Sequence, residues 1–391
     1  MTINDFIKDA TDMFPVMQET RRHIHRHPEL SFKEYETSAF IRKRLADLGI
    51  ESKVLAETGV VAHIGSGNTC VALRADIDAL PIMEETGLDY ASENPGVMHA
   101  CGHDTHTTML LTAAALLKRR EKDLGGIIKL IFQPGEEKTP GGASIMIREG
   151  ALDSPRPSVI FGQHIDPDAP LGRISFVEGP MMAAADELYF TIRGYGAHAA
   201  QPHLGRDPIF AATGLVHHLQ QLITKRRNPL HAGVLTITAI EGGHATNVIP
   251  DIVTMKGTLR AFDQQWREEA WSFLEQHTRD YCAMHGCDGI VEISKGYPPL
   301  VNDATAVAFA RTVATSLIGE DNVQDFEPKM WAEDFSYYGQ HIPSCFWMLG
   351  GRPDGMDSMP GLHNPRFAPE EQAMITGAAL LSSVAWSYLR T

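Results

Sequence analysis

The stretch GIIKLIFQPGEE (residues 126–137) runs from a short, isoleucine-rich apolar segment into a Pro-Gly turn and two adjacent glutamates. Two other stretches have the same form and also end in polar side chains: TCVALRADIDALP (69–81) and PSVIFGQHID (157–166). Between them, THTTMLLTAAALLKRR (105–120) is typical of a buried helix. Strands alternating with helices predict an α/β fold with a doubly wound, mixed but mostly parallel sheet. Such sheets bind ligands at the carboxyl ends of their strands, where these polar residues fall.

The pattern changes after about residue 180. Three stretches there alternate apolar and polar residues as half-buried strands do: ELYFTIRG (187–194), GVLTITAIEGG (233–243) and DIVTMKGTLRAF (251–262). Two helical stretches interleave with them, one from about Pro208 to Lys225 and one that stops at Gly286. The order β-α-β-β-α-β predicts an α+β, ferredoxin-like domain. We therefore expect a first domain of residues 1–180 and 292–391, with residues 181–291 inserted as a second domain.

Composition narrows the class of protein. A chain of 391 residues exceeds the usual size of one core, which favours two domains. Its net charge of −15 argues against nucleic acid or an anionic membrane surface as a partner, because both require a basic surface. The longest apolar run is far shorter than the roughly 20 residues of a membrane span. Five cysteines and the lack of a signal-peptide pattern predict a cytoplasmic protein without a disulfide framework.

The stretch MHACGHDTH (98–106) holds one cysteine and three histidines in nine positions. In an extended or turning segment, the spacing of Cys101 and His103 directs both side chains the same way, which suits two ligands of one cation. A Cys-x-His pair followed by a helix does not resemble a closed structural zinc site. On this stretch alone, a metal site and a hydrogen-bonded polar loop remain equally open.

Other strand ends favour the metal site. Glu136 and Glu137 would repel each other at a strand end unless a cation or a shared proton offsets their charges. PSVIFGQHID places His164 at the end of another strand, and GLHNPRF (361–367) supplies His363 after the last strand. These residues with Cys101 and His103 are too many for one tetrahedral ion. They suit two divalent cations, the arrangement used for metal-assisted hydrolysis.

The remaining histidines receive plainer interpretations. His23, His25 and His27 are two residues apart in a predicted helix, where such neighbours do not face each other, so we predict no metal site there. His99 and His106 flank the Cys-x-His pair, and we expect them to support it through hydrogen bonds.

Seven motifs, in order, resemble the dinuclear-metal amidohydrolase (aminoacylase) family, which contains hippurate hydrolase, N-acyl-L-amino acid amidohydrolases and hydrolases of auxin–amino acid conjugates. The resemblance covers residues 20–370 approximately. The motifs are RRHIHRHPELSFKEYET, LRADIDALPI, MHACGHDTHTTMLL, IFQPGEE, GAHAAQPH, GGHATNVIP and LHNPRF.

The resemblance implies a set of roles. Two divalent cations, Mn²⁺ or Zn²⁺ and in some relatives Co²⁺ or Ni²⁺, would be held by Cys101, His103, Glu137, His164 and His363. Glu136 would be the general base that takes a proton from the attacking water and passes it to the leaving nitrogen. Asp78 would orient a metal ligand.

The resemblance also makes the inserted domain a lid that forms homodimers or homotetramers. His198 would stabilise the oxyanion, in some relatives from the partner subunit. Asn247 and Arg260 would hold the substrate's carboxylate, although Arg260 is equally well explained as a solvent-facing strand residue. One departure from the family pattern is GQHIDP (162–167), where Gln163 and Asp166 are expected to make the pocket rim more polar.

These observations predict a metallo-amidohydrolase that cleaves the amide bond of N-acyl-amino acids, with a small-molecule substrate. A dipeptidase or aminopeptidase on the same scaffold is the first alternative, but no added carboxylate in the lid motifs would hold a free amine. A metal-binding protein without catalysis is the second, and the presence of every expected residue argues against it.

Overall fold

The computed structural model describes residues 3–391 and divides into two compact units. The first unit consists of the chain up to Met181 with Val301–Pro328 and Asp334–Thr391. The second unit consists of Met182–Leu300 with Lys329–Glu333.

The strands of the described chain are, in order, β1 (Ser52–Leu55), β2 (Gly59–Gly65), β3 (Cys70–Asp76), β4 (Ile127–Gln133), β5 (Val159–Pro170), β6 (Ile174–Phe176), β7 (Gly179–Met182), β8 (Ala184–Arg193), β9 (Ala197–His198), β10 (Gly233–Glu241), β11 (Val248–Ile249), β12 (Ile252–Ala261), β13 (Asp288–Lys295), β14 (Leu300–Asn302), β15 (Val323–Asp325) and β16 (Ser344–Arg352). The α-helices are α1 (Asn4–Asp12), α2 (Phe14–Arg26), α3 (Tyr35–Asp47), α4 (His103–Lys118), α5 (Gly142–Arg148), α6 (Pro208–Leu219), α7 (Gln264–Met284), α8 (Ala304–Ile318), α9 (Ser336–Gly339) and α10 (Ala373–Tyr388).

The first unit is built on an eight-stranded sheet in the order β1-β2-β4-β3-β5-β16-β6-β15. The pairs β4–β3, β3–β5, β5–β16 and β6–β15 are parallel, and the other three pairs are antiparallel. All seven residues of β3 are buried, as expected for a central strand covered on both faces. The predicted α/β fold with a mixed, mostly parallel sheet is confirmed.

Helix α4 is the central helix of this unit. It is buried at every position except Lys118, which agrees with its continuous apolar and small-residue sequence. It packs against α10, whose sequence is equally rich in alanine and leucine, and against α2. Because α4 begins at His103, this packing also fixes the first turn of the helix beside the sheet.

The second unit contains a four-stranded antiparallel sheet in the order β10-β12-β8-β13. Leu188, Phe190 and Ile192 of β8 pack beneath α6 and α7, while the residues between them face away from this core. One helix differs from its prediction: α6 ends at Leu219, and a π-helical turn over Leu222–Arg226 replaces the rest of the helix predicted to reach Lys225.

No helix within residues 3–391 has the length and apolar character needed to span a membrane.

Candidate metal centre

Adjacent parallel strands bring the first candidate residues together. β3 ends at Asp76, two residues before Asp78, and β4 ends at Gln133, three residues before Glu136. The register pairs Asp76 with Gln133, so both strands finish at the same edge of the sheet. This edge is the carboxyl end at which the sequence predicts a ligand site.

His164 reaches the same region by another route. The prediction that it ends a strand is wrong, since β5 continues to Pro170. β5 pairs with β3 only up to Gly162, after which pairing with β16 carries the strand onward. His164 therefore lies just beyond the paired end of β3 but inside β5, which makes its backbone more rigid than a loop would be.

Cys101 and His103 are joined by a tight turn into α4. Gly102 between them has φ +89°, and a Cβ atom there would lie 2.6 Å from the Ile165 side chain. Glycine therefore satisfies both the backbone and the space at this point. The turn leaves the Cys101 sulfur 3.3 Å from His164 Nε2, and both side chains are buried.

Potential ligand atoms converge in overlapping groups, each with its atoms within 4.8 Å of one another. The groups are Cys101–His103–His164, Cys101–Glu137–His363 and His103–Glu136–Glu137. All five predicted metal ligands and the predicted general base thus meet in one cluster of the first unit. A fourth group, Asp76–His103–His106, adds two residues that the sequence did not place among the ligands.

His363 is the most exposed member of the cluster. Its Nε2 lies 3.2 Å from Glu137 Oε1, and its side chain is 53% exposed. Its backbone has φ +61°, which is unusual for a residue other than glycine, and its N–H donates to the Ala100 carbonyl. A strained backbone held by a hydrogen bond beside Cys101 is typical of a functional position.

Asp78 orients two of these candidate ligands. Its backbone carbonyl accepts a hydrogen bond from His103 Nδ1 at 2.9 Å, and its Oδ1 lies 3.2 Å from the same nitrogen. Its Oδ2 accepts from the Glu137 backbone N–H at 3.0 Å and from the Ser31 hydroxyl at 2.6 Å. In the neutral form of His103 the proton is therefore on Nδ1, which would leave Nε2 to bind a cation.

His106 is satisfied by protein atoms and has no free nitrogen for a metal. Its Nε2 accepts from the Ile165 N–H at 2.9 Å, so the proton lies on Nδ1 and is donated to Asp76 Oδ1 at 2.7 Å. Asp76 Oδ2 accepts in turn from buried Arg74. The sequence indicated the supporting role of His106, but it gave no signal for Asp76 or Arg74.

The cluster carries an excess of negative charge. Burial raises the pKa of the Cys101 thiol well above its usual value, and Glu137 and Glu136 raise it further. Burial opposes protonation of His103, yet Asp76 and Asp78 outweigh it and raise the pKa of this histidine to about 10. Bound cations would offset this charge and stabilise the thiolate.

The residues fit divalent cations. The buried atom His103 Nε2 has no hydrogen-bond partner among the described residues, which is costly unless another group binds it. One thiol, three imidazoles and a carboxylate form a mixed S, N and O donor set of the kind that Zn²⁺, Mn²⁺ and related ions accept.

Two histidines of α2 lie in different surroundings. His25 is buried and bonds Asp104 Oδ2 at 2.9 Å and Glu84 Oε1 at 3.2 Å, whereas His23 stacks on Phe40 at the helix surface. Asp104 follows His103 directly, so this buried network supports the start of α4.

The pocket-rim interpretation of Gln163 is wrong. Its side chain lies in the core, where it accepts a hydrogen bond from the Trp347 indole at 3.0 Å and donates to the Met109 sulfur. Asp166 is buried as well and accepts from the Asp168 N–H.

His198, Asn247 and Arg260 belong to the second unit. His198 is exposed, and its Nδ1 accepts from the Ala200 N–H at 3.1 Å, which leaves Nε2 to carry the proton of the neutral ring. Asn247 is its neighbour across the β9–β11 ladder, since the Asn247 carbonyl accepts from Ala199.

Arg260 lies elsewhere in this unit. Ile252 at the start of β12 pairs with Arg193, whereas Arg260 pairs with Ala185 at the other end of β8. Eight residues of strand, about 26 Å, separate these positions. Since β9 and β11 adjoin the Arg193–Ile252 end, His198 and Asn247 are remote from Arg260 within one chain.

Comparison with known proteins extends these observations. The model of Peptidase family M20/M25/M40 matches residues 72–387. An IAA-amino acid hydrolase of Arabidopsis thaliana is 40% identical over 384 residues, which cover 97% of this chain and 87% of the relative. An N-acetyl-L-cysteine deacetylase of Bacillus subtilis is 43% identical over 364 residues, which cover 92% of this chain and 85% of the relative.

A solved structure is similar to this chain over nearly its whole length. It is a dinuclear metal binding peptidase of the M20 family from Bacillus subtilis, with a TM-score of 0.84 and 33% sequence identity. The match covers 97% of this chain and 99% of that one.

Proposed function

The chain belongs to peptidase family M20/M25/M40, and we propose that it is a dinuclear-metal amidohydrolase that cleaves N-acyl-amino acids to a carboxylate and a free amino acid. The observation that carries this proposal is the convergence of Cys101, His103, Glu137, His164 and His363 beside Glu136. The names of the two sequence relatives, a hydrolase of amino acid conjugates and an N-acetyl-cysteine deacetylase, support the substrate class.

The five converging side chains would hold two divalent cations. When bound, such cations polarise an amide carbonyl and make water acidic enough to attack near neutral pH. Mn²⁺ or Zn²⁺ suits the mixed donor set, and Co²⁺ or Ni²⁺ is compatible with it.

Glu136 is proposed as the general base. It is buried, and one of its carboxylate oxygens lies within 4.8 Å of His103 and Glu137 ligand atoms. From there it can remove a proton from the attacking water and deliver it to the leaving nitrogen, which must be protonated before the amino acid departs. Glu137 would serve the metal instead, as its backbone is held by Asp78.

His198 is proposed to donate a hydrogen bond to the oxyanion. Its neutral form has the proton on Nε2, since Nδ1 already accepts from Ala200, so the imidazole presents a donor to its surroundings. Asn247, its neighbour, would contact the substrate's carboxylate with a side-chain amide.

The position of Arg260 supports a homodimer or homotetramer in which subunits share residues. Arg260 and the His198–Asn247 pair lie toward opposite ends of β12, too far apart to hold one small substrate from the same chain. If both contact the substrate, one must come from a partner subunit. We therefore propose that His198 and Asn247 act across the interface of a cytoplasmic oligomer formed by the second unit.

A peptidase acting on free dipeptides is the alternative, because the similar solved structure is named a peptidase. The test is release of free amine from N-acetyl, N-benzoyl and long-chain N-acyl amino acids and from dipeptides, with Mn²⁺-loaded protein. Turnover of the acyl amino acids supports the proposal. Turnover of dipeptides alone would favour the peptidase, and silence with Mn²⁺, Zn²⁺, Co²⁺ and Ni²⁺ would contradict both.

A further inference from the structure

Glu34, in the segment between α2 and α3, is a buried acid without a cationic partner. Its relative exposure is 0%, and no lysine, arginine or histidine among residues 3–391 lies within ion-pair distance of it. Burial, followed by the charge of Asp78, raises the pKa of Glu34 to about 7. A carboxyl group is expensive to bury in this way unless its hydrogen bonds compensate for the lost water contacts.

The hydrogen bonds of Glu34 lead to the turn Pro134–Gly135–Glu136–Glu137. Its Oε1 accepts from the Gly135 N–H at 2.8 Å and from the Phe32 N–H at 2.9 Å. Its Oε2 accepts from the Thr58 hydroxyl at 2.6 Å. The carboxylate thus ties the backbone immediately before Glu136 to two other segments of the first unit.

Asp78 holds the other side of the same turn. It accepts from the Glu137 N–H at 3.0 Å, so the amides on either side of Glu136 are each bound by a buried carboxylate. Ser31, three residues before Glu34, donates to the same Asp78 oxygen. The segment of residues 31–34 therefore supplies Glu34 and, through Ser31, also contacts Asp78.

Packing reinforces the hydrogen bonds. Gly135 has φ +58°, and a Cβ atom there would lie 2.4 Å from the Phe32 ring. Phe32 itself has φ +63°, an uncommon conformation for an aromatic residue. The strain is offset by the Phe32 N–H bond to Glu34, so the close packing of ring and turn depends on this carboxylate.

We propose that Glu34 is a positioning residue that fixes the turn carrying Glu136 and Glu137 and so sets the placement of the general base and of one metal ligand. The inference rests on the proposed function of that turn. Glu34 would not touch substrate or metal. It would act by holding the Gly135 peptide, as outer-shell groups do in metal sites.

The test compares Glu34→Ala with Glu34→Gln. A glutamine can accept from both backbone amides with its oxygen and donate to Thr58 with its nitrogen, so it should preserve the contacts. Glu34→Ala should weaken Zn²⁺ binding at one of the two sites by about 10–100-fold, measured by competition with a chromophoric chelator. It should also lower kcat about 10–100-fold with little change in KM, and Glu34→Gln should restore most of both losses.

Glu29→Ala is the matched control. The Glu29 carboxylate accepts from the Glu36 and Thr37 amides at the start of α3 and makes no contact with the turn. The Glu29→Ala substitution should lower thermal stability while leaving Zn²⁺ affinity unchanged. Wild-type Zn²⁺ affinity in Glu34→Ala, or an equal loss in Glu29→Ala, would overturn the proposal. If the wild-type protein hydrolyses no amide, the proposed function fails, and the Zn²⁺ titration still decides the role of Glu34.

Discussion

At the scale of single residues, the site depends on side chains that orient others. Asp78 joins His103 and Glu137 through three acceptor atoms, which fixes both candidate ligands in relation to each other. His106 donates a hydrogen bond to Asp76, whose carboxylate lies 3.9 Å from His103 Nε2 and contributes negative charge beside it. The charge and the tautomers of the cluster therefore follow from residues that would not touch the substrate.

Asp78→Ala tests this support. Loss of its carboxylate leaves the Glu137 N–H without a partner, so we expect metal affinity to fall about 10–100-fold. Isothermal titration with Mn²⁺ measures the effect. Asp303→Asn is the control, since Asp303 only caps α8 and asparagine caps equally well. Unchanged Mn²⁺ affinity in Asp78→Ala would show that the support is dispensable.

The surroundings of His25 lead us to expect that the free energy of unfolding depends on pH. Burial disfavours its charged form, but the hydrogen bond and charge of Asp104, with a contribution from Glu84, raise the pKa of His25 to about 9 despite nearby Arg21. Because this pKa is higher in the folded than in the unfolded protein, protonated His25 stabilises the fold. The stabilisation is complete at pH values below the unfolded pKa of about 6.5, and it disappears as the pH rises through 9.

The expected loss of unfolding free energy from His25 between pH 6.5 and 9 is on the order of 2–3 kcal/mol. Urea unfolding of metal-loaded protein at several pH values measures it. In His25→Gln, this loss of unfolding free energy between pH 6.5 and 9 should vanish. A variant with the same pH slope as the wild type would refute the assignment.

The sequence predicts some of these residues and misses others for a physical reason. Cys101, His103, Glu136 and Glu137 stand out because reactive types are adjacent in the chain. Glu34 and Asp76 are ordinary acids whose roles arise from partners far away in sequence, so no local pattern marks them.

At the scale of elements, the turn after β4 is the most constrained part of the site. Gly135→Ala should destabilise the protein by more than the roughly 1–2 kcal/mol that a left-handed conformation costs a residue with a Cβ atom. The added methyl would also meet the Phe32 ring at 2.4 Å. We expect both the melting temperature and kcat to fall.

Gly87→Ala isolates the backbone contribution. Gly87 has φ +72°, and a Cβ atom there would meet nothing within 4 Å. The Gly87→Ala variant should lose only the stability that the left-handed backbone conformation costs, and it should keep full activity. Equal losses of stability in the two alanine variants would mean that the packing of Phe32 on the turn is unimportant.

Periodicity predicts β3, β4 and α4 because each has a strong local apolar pattern. The same reasoning ends β5 at His164, six residues before its actual end. Pairing with β16, whose residues lie 184 positions further along the chain than their β5 partners from Ile160 to Asp166, extends β5 through polar residues. Such long-range pairing leaves no mark in a short window of sequence.

At the scale of the whole molecule, the proposed sharing of residues between subunits can be tested by mixing two inactive variants. Glu136→Gln would lack its base but keep His198, and His198→Ala would have the reverse defect. If His198 acts across subunits, a dimer with one copy of each has one complete site. Statistical mixing then restores roughly a quarter of wild-type activity.

Dissociation and reassociation of an equimolar mixture, followed by an activity assay, performs this test. The same variants assayed separately are the controls. A mixture no more active than its components, with exchange verified by mass, would place His198 and its metal centre in the same chain.

The α/β class and the order of elements in the second unit could be predicted, because alternating helical and strand patterns are local. The inclusion of Lys329–Glu333 in the second unit could not, as this short segment is separated from the rest of its unit by residues 301–328, which include α8 and β15.

Glu136 is the proposed general base of a dinuclear-metal amidohydrolase. The most direct measurement is hydrolysis of an N-acyl-amino acid by wild type and Glu136→Gln, with metal content determined on the same samples. We predict two divalent cations per chain in both proteins and a fall in kcat of about 10²–10⁴-fold in the variant. Retained turnover in a variant that still holds both cations would rule out Glu136 as the general base.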